Sequence, residues 1–561
     1  MRSSSETGGS EGRNAIIAET IGGTFMVSIL RYRIFSLGHY NFASKPPAIR
    51  TTQSLMEIQH VLQECRIEAV LESVGVKSQS SKNLFAEQAK RWSSNFKRLR
   101  ARSDAWKILK GSKGSPDLAE TSWLQHLPAL LDHEATIRSI DPATASESQK
   151  EDWSQILFTG EWDSVNFIPF ILMYVALSKI FLAPMIAWSM PFMSIILPFF
   201  ALKFVYGLPI TWEMYWQQMS PMIFGRADQE FTINTLLQWG SMLFSYAHGM
   251  YLPYTNAVHC YKIDQLMIKG SNAVVDTVNR LREIAETWQT MGLKKPWSFP
   301  DPSTLGDERQ ILAWLVKDPH LLPQIYRAIG QVELTAAFCQ SDALVPVEWS
   351  ESVVPMCKMV DAIDPLLEEE KRVPFTLIMN QGQHHAICTG PNRGGKSTFL
   401  RSALTNLVLA HTWGVAFAEK CLMTPVEWII SSLRLEDRPG QASLFEREVT
   451  VAGDIVKLIR ANEMRGWVII DELFHTTNPP DAATASQIFL RQLWSSNLVT
   501  SIVSTHLFSH AEDAPAHVQR LCVDSELNET TGQILYKYEV TQGVNTMSSV
   551  RELLVESGVV V

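Results

Sequence analysis

Apolar residues recur at three- and four-residue steps through the first half of the chain and in short unbroken runs through the last third, and the two patterns predict different architectures. From about 53 to 109 the residues Leu55, Ile58, Val61 and Leu62, then Ile67 and Val70, fall at helical spacing. The same periodicity returns from 211 to 338. There Val274, Val278, Leu281, Ala285 and Trp288 share a stripe, which predicts a long amphipathic helix packed on a neighbour. Pro296, Pro300 and Pro302 mark one break, and Pro346 to Pro355 another. Past these breaks the runs His385 to Thr389, Trp467 to Ile470 and Leu498 to Val503 read as strands.

One block follows neither pattern. Between Val165 and Tyr206 the chain is continuously apolar, with Lys179 the only charge before Lys203. The 23 uncharged residues from Ile180 to Leu202 would cross a hydrocarbon layer of roughly 30 Å at about 1.5 Å per helical residue. Pro184 could hinge a helical hairpin. Pro191 and Pro198 would kink its second helix, which membrane helices tolerate because neighbours re-satisfy the freed carbonyls. Tyr174, Trp188 and Tyr206 suit interfacial or packing positions. Two readings stay open here: membrane insertion, as a hairpin or a single span, and a pair of helices buried in a soluble bundle.

Composition narrows the classes. At 561 residues the chain holds several domains, and a formal charge of −9 argues against a uniformly basic nucleic-acid coat. Seven scattered cysteines without a C-x-x-C suggest neither a disulfide framework nor a zinc ribbon, and point to a reducing compartment. Residues 1–13 read as a polar tail, and the apolar stretch from Ala15 to Leu30 lacks the marks of a secretory signal. Basic charge gathers only from Lys90 to Lys113, interleaved with Trp92, Phe96 and Trp106. That is either a phosphate-binding face or the solvated side of a helix.

The strongest chemical signal is the string from Gly390 to Thr398, read Gly390, Pro391, Asn392, Arg393, Gly394, Gly395, Lys396, Ser397 and Thr398. It follows the strand at 385–389 and precedes the helical run Phe399, Leu400, Leu404 and Leu407. Strand, glycine-rich turn and helix N-terminus together cradle phosphate oxygens, with Lys396 reaching the β- and γ-phosphates and Ser397 offering its hydroxyl to Mg²⁺. A second apolar strand ends in Asp471 and Glu472. Asp471 would bind Mg²⁺ through water, and Glu472 would polarise the attacking water. A third ends in Ser504, Thr505 and His506, and His506 could reach the γ-phosphate side.

In that order, from about Asp361 to Val559, these pieces resemble the ATPase domain of the MutS family of DNA mismatch-repair proteins. The family's TGPN-x-GGKST stands here as Thr389 to Thr398, and its S-T-F-x-x-E as Ser443 to Glu448. The strand ending at His506 matches the family's ATH element, and Tyr538 to Gly543 resembles its late strand. The resemblance implies an α/β P-loop NTPase of the ABC type at the C-terminus, preceded by a mainly α-helical region with a candidate transmembrane hairpin. It implies Mg²⁺-dependent ATP hydrolysis with Glu472 and His506 catalytic, and Ser443 completing a neighbouring subunit's site. A homodimer or a heterodimer with a related subunit follows, as does DNA with mismatched or branched structure as the ligand. Phe375 would stack on adenine, because the family places an aromatic upstream of the P-loop.

Departures limit the carry-over. After Asp471-Glu472 the family continues with a G-R-G loop, whereas this chain reads Leu473-Phe474-His475-Thr476-Thr477-Asn478. Phe85-Ala86-Glu87 has the letters of the family's mismatch-reading motif without its surroundings and is not carried over. The expected organisation is a tail over 1–50, a helical region with the basic cluster over 51–163, the apolar block over 164–208, lever-like helices over 209–345 and the ATPase domain over 346–561. The expected location is a membrane with the ATPase in the cytosol; the alternative is a soluble protein of the nucleus or an organelle.

Overall fold

A computed structural model describes residues 53–111, 122–224, 233–301, 307–433, 444–461, 464–528 and 533–550, with Thr304, Leu554, Ser557 and Val559. The change of architecture falls near residue 341. Before it come helices α1 (Gln53–Glu64), α2 (Ile67–Ser73), α3 (Gln79–Ala89), α4 (Phe96–Gly111), α5 (Leu127–Arg138) and α6 (Glu147–Ser154). Then follow α7 (Ile171–Val205), α8 (Trp212–Phe224), α9 (Ile233–Thr290), α10 (Glu308–Lys317) and α11 (Leu321–Gln340).

Helix α9 is 58 residues long, about 87 Å at 1.5 Å per residue. Its C-terminal part carries the predicted stripe, and Val274, Val278, Leu281, Ala285 and Trp288 are all buried. A buried ion pair ties it to α10, with Arg309 Nε at 2.6 Å from Asp264 Oδ1 and a second arm at 3.0 Å from Oδ2. Helices α3 and α11 cross closely because Gly330 has no side chain: a Cβ there would come within 2.7 Å of the Ser80 carbonyl oxygen. Beside that crossing the buried Glu333 carboxylate accepts from the Lys77 and Ser78 amides and the Ser81 hydroxyl. It satisfies the open N-terminus of α3 and complements its dipole. Phe85 lies in this core, stacked on Trp413.

From residue 344 the chain forms three sheets. The largest has the strand order β12 (Ile534–Gln542), β11 (Val518–Leu527), β5 (His385–Thr389), β10 (Val499–Ser504), β9 (Gly466–Ile470), β8 (Trp428–Ser432). All pairs are parallel except the β11–β12 hairpin at the edge. Strands β5, β9 and β10 are buried throughout, which is why each reads as an unbroken apolar run rather than an alternation. A four-stranded sheet, β2 (Glu348–Trp349), β7 (Lys420–Met423), β3 (Cys357–Ala362), β4 (Phe375–Met379), and the pair β1 (Leu344–Pro346) with β6 (Val415–Phe417) complete the region. Helices α12 (Lys396–Trp413), α13 (Leu444–Ala461), α14 (Pro479–Trp494) and α15 (Phe508–Glu512) connect the strands.

Two expectations change. The apolar block does not hinge at Pro184. A wide π turn at Ser178–Leu182 runs straight into the next helical segment, in whose first turn Pro184 lies. The result is one continuous helix, long and apolar enough to cross a membrane, and only 6% of its most apolar window is buried in the protein, so it is not a core helix. The basic run is also not a stacking platform. On α4 the Trp106 indole donates to the Trp413 carbonyl at 2.6 Å, and Trp92 just before α4 lies flat on His411 at 4.3 Å. Arg102 donates to the His411 and Thr412 carbonyls, and Lys110 to those of Ser341 and Leu344. Arg102 and Trp106 cap the C-terminus of α12, where open carbonyls and the negative dipole end attract cations, while Lys110 meets the carbonyls just past α11.

His411 makes this junction pH-sensitive. It is fully covered, its Nδ1 bonds the Leu407 carbonyl, and its Nε2 accepts from the Val426 amide at 3.1 Å, which fixes the neutral tautomer. Burial pushes its pKa from 6.5 down to about 4. The folded state therefore resists a proton that the unfolded chain accepts, so stability is full above pH 6.5 and falls as the pH drops toward 4, by on the order of 3 kcal/mol. Denaturant unfolding at pH 7 and pH 5 should show about 2 kcal/mol of that loss in the native chain, with a smaller one in His411→Gln.

Candidate functional site

The register of three parallel strands assembles the site. Ser504 pairs with Cys388, and Val503 with Ile470, so the C-terminal ends of β5, β9 and β10 lie side by side. The predicted phosphate turn follows β5, the acidic pair follows β9 and His506 follows β10. This is the crevice at the carboxyl ends of a parallel sheet where ligands of α/β proteins bind.

The turn from Gly390 to Gly395 adopts conformations that glycine eases: Gly390 has φ 146°, Arg393 φ 64° and Gly395 φ 100°. Helix α12 then starts at Lys396, aiming its first N–H groups into the turn. The Lys396 ammonium is buried and donates to the carbonyls of Gly390 and Pro391 at 2.8 and 3.0 Å. Burial lowers its pKa, and no carboxylate bonds it directly. A buried cation held only by carbonyl dipoles suits an incoming phosphate. Ser397 is exposed on the first turn of α12.

Asp471 and Glu472 leave β9 at a sharp turn, with Glu472 at φ 52°. One hydroxyl organises it: Ser504 Oγ donates to Asp471 Oδ1 at 2.5 Å and accepts from the Glu472 amide at 2.8 Å. His506 Nε2 stands 3.2 Å from Glu472 Oε1. That hydrogen bond holds the Glu472 carboxyl below its ordinary pKa, more strongly than partial burial raises it. Glu472 is thus an ionised acceptor at neutral pH. The donor set of a hydroxyl at Ser397 and a carboxylate at Asp471 suits a hard cation such as Mg²⁺, which takes few protein ligands and completes its shell with phosphate and water. Among the described residues no cluster of three or more His, Cys, Asp or Glu forms an all-protein cage.

Phe375 is packed into the core. It is 6% exposed and meets Phe399 of α12 edge-on at 4.9 Å, because β4 alternates and turns this side inward. The exposed aromatic at the P-loop is Tyr538 on β12. A Cβ placed on Gly395 would come 3.2 Å from its ring, which is about half exposed. Sequence reading quoted Tyr538 only as part of a strand. Its distance from the P-loop, 143 positions in sequence by the numbering, hid the contact. Asn545 was also missed: its amide donates to Thr389 Oγ1, and its side chain to the Val523 carbonyl, which binds the C-terminal segment to the strand carrying the P-loop. Ser443 lies outside the described residues. Glu448, further along that motif, is buried and accepts from Thr476 Oγ1 at 2.8 Å, with His475 Nδ1 at 3.1 Å. The loop after the acidic pair, which lacks the family's glycines, is tied to α13 in this way.

A glycine-rich turn and a buried lysine on one strand end, with a metal-suited carboxylate and a histidine-held glutamate on the next two, define a P-loop domain of the ATPase type. Comparison sharpens the class: residues 386–553 match the family model of MutS domain V. The chain thus carries a MutS domain V, and the match covers the nucleotide-binding part rather than the helices before it.

The Glu472–His506 pair yields a pH prediction. Its depressed pKa keeps Glu472 ionised to lower pH than a free carboxylate. In His506→Ala the acid limb of the ATP-turnover profile should move up toward the ordinary carboxylate value near 4.5. An unmoved limb would show that the pair does not set the ionisation of Glu472.

Proposed function

We propose that this protein binds ATP with Mg²⁺ and hydrolyses it, as a dimer. The observation that carries the reading is the convergence of Lys396, Ser397, Asp471, Glu472 and His506 at three adjacent strand ends. The N–H groups of the turn and of the first residues of α12 hold the phosphates, and Lys396 exchanges its two carbonyl partners for phosphate oxygens. Ser397 and Asp471 would hold Mg²⁺, which when bound neutralises the charge that develops on the transferred phosphoryl group. Glu472 accepts a hydrogen bond from the attacking water and orients it, while His506 keeps Glu472 ionised. Tyr538 offers a face on which the adenine stacks. By family resemblance Ser443 completes the site of the other subunit, a second copy or a related chain.

The same resemblance makes mismatched or branched DNA the ligand and mismatch repair or related DNA maintenance the role. The packed aromatics of the basic run lend that no support, and contacts to phosphates by the exposed Lys97, Arg98, Arg100 and Lys107 remain available. Gel-shift competition among heteroduplex, branched and homoduplex DNA across salt checks it. Selective binding supports the assignment, and negligible binding to all three removes it while leaving the ATPase.

Hydrolysis has its own test. Glu472→Gln should lower Mg²⁺-dependent turnover by about 10² to 10³-fold while ATP still binds. If neither the native chain nor this variant turns over ATP and both bind it, the protein is a nucleotide-dependent scaffold. Tyr538→Ala should weaken ATP binding by roughly tenfold or more, as loss of base stacking worth about 1–3 kcal/mol requires, and Tyr538→Phe should not.

A further inference from the structure

The ATPase reading leaves unused the arm formed by α7 and the first part of α9. The two helices run antiparallel. Lys179 of α7 donates to the Gln155 carbonyl while Cys260 of α9 bonds the Gln155 side chain, which fixes one level. Nine residues further along α7, the Trp188 indole donates to the carbonyl of Met250, ten residues back along α9. The stretch of α7 between Lys179 and Lys203 therefore lies beside a stretch of α9 that is also free of charge, since no Asp, Glu, Lys or Arg occurs between Glu230 and Lys262. Both uncharged bands begin at the same level, above α6 and the helical body, and each is at least about 34 Å long.

Among the described residues α8 covers only the end of α7, where Tyr215 donates to the Ile195 carbonyl and Trp212 meets Phe199, and much of the pair is left exposed. Phe192 is 62% exposed and Phe244 73%. Exposure is not confined to one stripe: the adjacent pairs Met185-Ile186 and Ile196-Leu197 are exposed together, and neighbours on a helix point about 100° apart. A protein partner or a second copy takes one face of a helix, whereas hydrocarbon solvates all of them. Three hydroxyls within the band are satisfied by their own helices, as a medium without water demands: Ser189, Ser194 and Thr255 each donate to a carbonyl three residues back. At the far end Lys203 lies over the Phe199 and Phe204 rings, next to the exposed Tyr206 and Trp212, the mixture found where hydrocarbon meets headgroups.

We propose that α7 and the first part of α9 form a two-span membrane hairpin, with Leu208 and the start of α8 on the far side and the helical body and ATPase together on the near side. The band length matches the roughly 30 Å of bilayer hydrocarbon.

The test uses the full chain made by cell-free synthesis with phosphatidylcholine vesicles. All seven native cysteines are buried, so a membrane-impermeant maleimide reports on single added cysteines. The chain should float with vesicles after a carbonate wash. Ser148→Cys and Gln289→Cys should label in intact vesicles, and Leu208→Cys only after detergent. Release of the chain by carbonate, or full labelling of Leu208→Cys in intact vesicles, overturns the proposal. So does labelling of Ser148→Cys and Gln289→Cys on opposite sides, the mark of a single span. Met190→Glu with Leu197→Glu should abolish flotation and leave ATP turnover within twofold of the native chain; continued flotation of this variant overturns the proposal, and the readout stands apart from whether ATP is hydrolysed.

Discussion

Helix α12 must open at a phosphate and end inside the protein, and much of the structure answers to that constraint. Its first turn offers N–H groups and the buried Lys396 to an anion. Its last turn leaves carbonyls that would be costly to bury unpaired, and Arg102, Trp106 and the αL amide of Gly414 reach them. The cap comes from α4, some 300 positions earlier in sequence, and so the nucleotide domain and the helical body share one core. Phe375 is drawn into that core against Phe399, and Phe85 and Phe338 pack on Trp413 at the other end. A shift of α12 on nucleotide binding would be felt directly by α4 and by the body it belongs to.

The site has a second hinge in the hydroxyl of Ser504. By donating to Asp471 and accepting from the Glu472 amide, it fixes a non-glycine residue at positive φ, a conformation costing of order 1–3 kcal/mol unless its surroundings hold it. The strain aims the Glu472 carboxylate away from β9 and toward His506. On the other side of the same turn, Glu448 anchors His475 and Thr476, so a loop whose glycines have been replaced keeps a defined path by side-chain bonds instead of backbone freedom.

The molecule presents two kinds of surface. The body follows the rule for water, with apolar stripes turned inward and salt bridges such as Arg327–Glu87 on the surface. The arm carries the opposite surface, with large apolar side chains such as Phe192, Leu197 and Phe244 exposed and the hydroxyls of Ser189, Ser194 and Thr255 turned back to their own helices. One helix joins both regimes: α9 is amphipathic from about Val274 to Trp288, where it packs on α5, and uncharged all round before Lys262.

Local chemistry was legible in the sequence wherever neighbours in the chain carry it. The P-loop string, the acidic pair after an apolar strand, the stripe on α9 and the uncharged run from Ile180 to Leu202 each declare themselves, because helix and strand periods and the glycine demands of a phosphate turn act over a few residues. The family resemblance was legible for the same reason. What depended on contacts between distant segments was not. Whether Trp92 and Trp106 were exposed was decided by α12 needing a cap, and whether Phe375 or Tyr538 met the P-loop by which side of β4 faced the core. The antiparallel partner of α7 hid in a stretch whose apolar and aromatic residues are diluted by Ser, Thr, Asn, Gln and His; only its placement beside α7 showed the two as a pair. Sequence sets what each residue can bond to, but burial and register, which arise only when the whole chain packs, choose the partner it gets.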